Sequence, residues 1–129
     1  MKNYIFLNFF LFLSFNLFSQ DLIISGVFDG PLSGGKPKGV ELYATADIAD
    51  LSAYGLGSAN NGGGTDGQEF TFPSDSASAG DYIYVTANSS EFLTYYGFSA
   101  DYVSNSVEIN GDDAIELFYN SSVIDTYGE

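Results

Sequence analysis

Four carboxylates crowd one short stretch late in the chain: Glu108, Asp112, Asp113 and Glu116, around Asn110 and Gly111. Carboxylate oxygen is the hard donor that Ca²⁺ prefers, and the ion takes about six to eight such ligands. These four residues are therefore the candidate metal ligands, and Ca²⁺ the candidate cofactor. Their order does not follow the EF-hand loop. Aspartates just after an Asn-Gly pair also have a structural use, because they bond the free amides of a turn. Both roles stand open for Asp112 and Asp113.

Other chemistry has less to work with. The chain has no histidine and no cysteine. That excludes Ser-His and Cys-His nucleophile pairs, imidazole acid–base work and the usual zinc ligands. A pair of carboxylates can hydrolyse glycosides, but 17 acidic residues supply close pairs by chance, and none stands alone in an apolar run. No catalytic residue is expected, and the chain is read as non-enzymatic. Gly62-Gly63-Gly64 lacks the Gly-Lys-Ser/Thr ending of a phosphate loop and precedes no helix, so it reads as plain loop. Tyr82, Tyr84, Tyr95, Tyr96, Tyr102, Tyr119 and Tyr127 invite a sugar-binding platform, yet tyrosine is also the ordinary residue of a half-buried sheet. Asn88-Ser89-Ser90 and Asn120-Ser121-Ser122 fit the glycosylation acceptor pattern, which matters only in a host that reads it.

The elements that would position these residues begin after a distinct leader. Lys2 precedes an apolar run over residues 5–18, which exits through Ser19 and Gln20. Such a start reads as a secretory signal peptide over residues 1–20, with the mature chain opening at Gln20 or Asp21. The run is too short for a membrane span, which needs about 20 apolar residues. Past the leader, Lys36 and Lys38 alone face all 17 carboxylates, so side-chain charge is 2 − 17 = −15. Such a surface repels phosphate backbones, and no direct nucleic-acid binding is expected. The expected product is secreted, extracellular or on the cell surface, with no membrane segment in its mature form.

The remaining stretch reads as one domain of short strands. Residues 22–28 open it, and residues 40–45 alternate with Val40, Leu42 and Ala44 on one face. Leu51 and Leu56 are expected core contacts, and residues 57–67 read as an exposed glycine-rich loop. Residues 69–72 and 81–87 return to alternation, the latter with Ile83, Val85 and Ala87 inward. One helix of about two turns follows, with Asn88 and Glu91 placed for a capping box, Phe92, Leu93 and Tyr96 for an apolar face, and Gly97 for the exit. Residues 107–109 and 114–119 are expected to flank a tight turn at Asn110-Gly111. Residues 123–127 pair back across Asn120-Ser121. Mostly antiparallel strands with one short helix predict an all-β sandwich.

Several segments then align with one family. Val40-Glu41-Leu42-Tyr43, Asp50-Leu51-Ser52-Ala53-Tyr54, Ala79-Gly80-Asp81-Tyr82, Gly111-Asp112-Asp113-Ala114-Ile115-Glu116-Leu117 and Val123-Ile124-Asp125 occur in order. Together they resemble the bacterial lamin-tail domain, over residues 21–129. The resemblance implies an immunoglobulin-like antiparallel β-sandwich and a non-catalytic binding or spacer module in a larger secreted or surface protein. Its partner would be a protein or a surface glycan. It also implies an alternative, a leading accessory domain of an extracellular nuclease or phosphatase, and the acidic stretch leaves a further one, a Ca²⁺-dependent adhesion domain. Ala44 stands where the family often has Asn, and there is no Trp. The family carries a further segment after the Val-Ile-Asp strand, so the domain over residues 21–129 is expected to lack its last strand and to leave an open edge.

Overall fold

The structure is a computed structural model, and it describes residues 20–128. The leader expected over residues 1–20 lies outside the described residues apart from Gln20.

Alternation and glycine turns build the first sheet. β1 (Leu22–Leu32) and β2 (Lys36–Ala44) form an antiparallel hairpin that closes at Leu32↔Lys36. Gly34 and Gly35 make the reversal at φ +84° and +70°, a region side chains resist. The strands therefore run further than expected, through residues read as loop. The inward face of β2 is Val40, Leu42 and Ala44, all 0% exposed. The rest of the framework is β3 (Tyr54–Ala59), β4 (Phe70–Thr71), β5 (Tyr82–Thr86), α1 (Ser89–Tyr96), β6 (Tyr102–Val103), β7 (Ala114–Tyr119) and β8 (Ser122–Tyr127).

Two four-stranded sheets result, in the orders β1-β2-β5-β6 and β4-β3-β7-β8. The core between them joins Leu22, Leu42, Ile83 and Val85 of the first to Leu56, Ile115 and Leu117 of the second. Each such side chain taken from water contributes about 1.5–3 kcal/mol. The expected β-sandwich is present. No helix among the described residues is long and apolar enough to cross a membrane.

Three local expectations are corrected, and one short strand, β6, is added to those expected. Residues 54–59, half of them assigned to loop, form an inner strand of the second sheet. Gly55 and Gly57 are required there, because the Phe70 carbonyl and the Gly67 carbonyl each pass 2.3 Å from where a Cβ would stand. Residues 107–109 are not a hairpin strand: a 3₁₀ turn over Asn105–Val107 drops Val107 into the core. β6 runs parallel to β5. The capping box does not form, since Asn88 turns its Oδ1 away from α1 to accept the Lys38 amide at 3.0 Å. Gly97 does terminate α1, at φ +80°, with its N–H on the Leu93 carbonyl. The closing hairpin turns at Asn120 and Ser121 (φ 48° and 62°) as expected. β8, the edge strand beyond it, lies against the edge of β1, where the Ile24 N–H donates to Asp125 Oδ2 at 2.8 Å.

Candidate functional site: an aromatic groove on the first sheet

The outer face of the first sheet is set by register. Gly26, Glu41 and Tyr84 are successive cross-strand neighbours, so β1, β2 and β5 present a gap, a carboxylate and a phenol in one row. The next row holds Phe28 opposite Gly39. A Cβ at Gly39 would meet the Phe28 ring at 2.4 Å, so glycine is what lets that ring lie flat across β2.

α1 closes one end of this face through a single anchor. Phe92 is 0% exposed, with its ring 5.7 Å from Phe28, 5.8 Å from Tyr84, 4.7 Å from Tyr96 and 5.3 Å from Phe98. Lys36 holds the first turn of the helix, 3.4 Å from Glu91. Around the anchor, Phe28 and Tyr96 meet edge-on at 5.5 Å, and Tyr84 and Phe98 at 5.2 Å. Edge-on pairs of this kind fix ring orientation as well as distance.

The rings enclose a groove of about 260 Å³, lined by Phe28, Glu41, Tyr84, Tyr96 and Phe98 over Gly26 and Val27. Glu41 is its one charged lining residue, and Ser25 donates its hydroxyl to Glu41 Oε1 at 2.9 Å. Burial, and then the neighbouring Glu41 carboxylate, push the Tyr84 phenol up to about 12. Tyr84 therefore stays a neutral hydrogen-bonding group. Tyr96 and Phe98 are 39% and 43% exposed, so the aromatic rim meets solvent.

Of the seven tyrosines suggested by sequence, the fold brings four to this face. Tyr84 and Tyr96 line the groove, Tyr95 meets Tyr96 edge-on at 4.9 Å, and Tyr82 pairs with Tyr43 one row away at 5.0 Å. Tyr102 instead packs on Phe72 and donates its hydroxyl to Asp75, while Tyr119 packs on Tyr54. Tyr127 sits on β8. Sequence reasoning missed Phe28, Glu41 and Phe98. Only Gly39, isolated in an alternating strand, signalled that a ring from the next strand needed its space.

The acidic stretch is dispersed. Asp113 accepts the amides of Asn110 (2.8 Å) and Asn61 (2.9 Å), which hold its carboxyl below the usual range and tie two loops together. Asp112 is exposed at the turn, and Glu108 is exposed where the 3₁₀ turn ends. Glu116 is only 6% exposed, opposite Gly57 on the outer face of the second sheet, and its Oε2 has no hydrogen-bond partner among the described residues. The turn is steadied from below by Lys38, 7% exposed, whose ammonium reaches the Ile109 carbonyl, Asn110 Oδ1 at 3.4 Å and Asp29 at 3.2 Å. Among the described residues, no three acidic, histidine or cysteine side chains converge as a metal-binding group.

No family model, no curated protein and no solved structure matches this chain.

Proposed function

We propose that this chain is a non-catalytic binding module, lamin-tail-like, exported by its leader as part of a larger extracellular or surface protein. The observation that carries this reading is the groove itself. It combines oriented aromatic rings with one carboxylate, which is equipment for holding a ligand, in a chain that offers no imidazole or thiol for transforming one. The five ordered segments shared with the lamin-tail domain support the same reading, and the leader supports export.

The test is a paired one. Cell-envelope material is expected to retain the purified chain, and Gly26→Leu, which projects a side chain into the groove, is expected to abolish retention. Assayed against phosphodiester, phosphomonoester and glycoside substrates, the same preparation should show no turnover. Turnover that copurifies with the chain and survives in Gly26→Leu would overturn the proposal.

A further inference from the structure

We infer that the groove is a cage for a quaternary ammonium cation, a trimethylammonium head group with its charge spread over methyl groups. The inference rests on the binding-module reading and specifies its ligand.

Three features of the groove converge on this chemistry. Phe28, Tyr84, Tyr96 and Phe98 surround one small space, and the negative faces of aromatic rings attract a cation close to them. Glu41 is the only charged residue among those rings, so the one full charge in the groove is negative. The whole chain has a formal charge of −14, which raises the local concentration of any cation.

Size and hydrogen bonding then separate the cation classes. At about 260 Å³ the groove falls below the roughly 300–1,000 Å³ of drug-sized sites, so it suits a head group and not an extended ligand. A primary ammonium is a compact, strongly hydrated charge, and against these rings Glu41, which also accepts from Ser25, would replace only part of its hydration. Burying donors without acceptors is unfavourable. A trimethylammonium group brings none. A sugar has the same difficulty several times over, with many hydroxyls to satisfy against rings.

Gly26 supplies the means of testing this without touching the rings. A Cβ there meets Glu41 Cβ at 3.9 Å and Glu41 Oε1 at 4.0 Å, both ordinary contacts, and its φ lies outside the left-handed region. Gly26→Leu therefore projects a side chain into the groove with no backbone clash at its Cβ, and its melting temperature checks that the fold is kept.

The experiment is an NMR titration of the full chain with choline chloride at constant ionic strength. The uncharged isostere 3,3-dimethylbutan-1-ol and the disaccharide cellobiose are run in parallel. Choline is expected to shift the resonances of Tyr84, Tyr96 and Phe98 saturably. The isostere is expected to bind at least about tenfold more weakly, and Glu41→Gln to weaken choline by a similar factor. Gly26→Leu should abolish the shifts while keeping the wild-type melting temperature. Equal affinity for choline and its isostere would overturn the proposal, since the groove would then be merely apolar. Absence of saturation by roughly 50 mM choline would overturn it too. Saturable binding of cellobiose alone at the same residues would refute the cation cage and leave the binding-module reading intact. Turnover surviving in Gly26→Leu would remove the module reading instead.

Discussion

Phe92 and Leu93 are neighbours on one short helix, and the fold gives them opposite weights. Phe92 is 0% exposed at the centre of the aromatic cluster, whereas Leu93 is 49% exposed. A buried Phe side chain removes about 150–250 Å² from water. At about 25 cal/mol per Å² that is roughly 4–6 kcal/mol, an upper bound because it assumes an extended unfolded chain. Alanine keeps the Cβ and the site partly collapses, which brings Phe92→Ala to about 3–5 kcal/mol. For a domain near 100 residues each kcal/mol lowers the melting temperature by roughly 4–8 °C, so a fall of about 12 °C or more is expected. Leu93→Ala changes stability by no more than about 0.5 kcal/mol. The assay is a urea melt of both variants beside the wild type, with the slope of each transition recorded. Phe92→Ala should also expose the amides of α1 to hydrogen exchange, because nothing else as deeply buried pins that helix. If Leu93→Ala proved as costly as Phe92→Ala, α1 would have to sit on the sheet in another rotation, and the groove would not exist as described.

Further outcomes follow from the same contacts. Lys38→Ala leaves the buried Ile109 carbonyl without its donor and should cost about 1–3 kcal/mol, with faster hydrogen exchange at the Asn110–Asp113 turn. The two amides bonded to Asp113 lower its pKa on folding. Its contribution is thus fully present above the ordinary carboxylate value and lost as pH falls through the lowered one. Asp113→Asn should accordingly flatten the acid limb of a stability–pH curve. At the alkaline end the sign reverses: Tyr84 and Tyr102, both raised to about 12, stay protonated in the fold while the unfolded chain ionises near its ordinary value of 10.0. Stability should fall across that interval, and ultraviolet titration should find both phenols intact when the exposed tyrosines have ionised. Gly57→Ala drives a Cβ to 2.3 Å from the Gly67 carbonyl and should cost about 1–3 kcal/mol, whereas Gly111→Ala, with nothing within 4 Å, should be nearly silent in the same thermal melts.

What could be read without coordinates was whatever has a period. Val40, Leu42 and Ala44 alternate with residues that leave the core, and all three are fully buried. Ile83 and Val85 behave alike. The exceptions have identifiable causes. Thr86 should have faced outward by alternation, yet it is 0% exposed and donates its hydroxyl to the Lys38 carbonyl at 2.7 Å. Glycine misled the reading of β3, where composition said loop. There Gly55 and Gly57 give passing backbone room to approach, and that approach comes from residues 67–70, which no local pattern could place. The acidic stretch could be read only in part. That an aspartate after Asn-Gly bonds turn amides was legible, and Asp113 does so, whereas the place of Glu116 on the outer face of β7 needed the register. The groove was the least legible feature, since its row of Gly26, Glu41 and Tyr84 exists only once the registers of β1, β2 and β5 are known.

The outer faces of the two sheets are covered differently. On the second sheet, Gly55 and Gly57 admit the backbone of residues 67–70 close to β3, and Gln68 lies over Gly55. On the first sheet the covering element is α1, whose eight residues reach only as far as Phe92, Tyr96 and the following Phe98 allow. Beyond them the Gly26–Glu41 row has no cover. A sheet face left open is ordinarily made polar, yet here it carries Phe28, Tyr84, Tyr96 and Phe98 around one carboxylate. Aromatic rings at solvent forgo burial that a closed core would give them. Packing on the buried Phe92 accounts for the grouping of the four rings, and a cation that covered them and neutralised Glu41 would add to that packing.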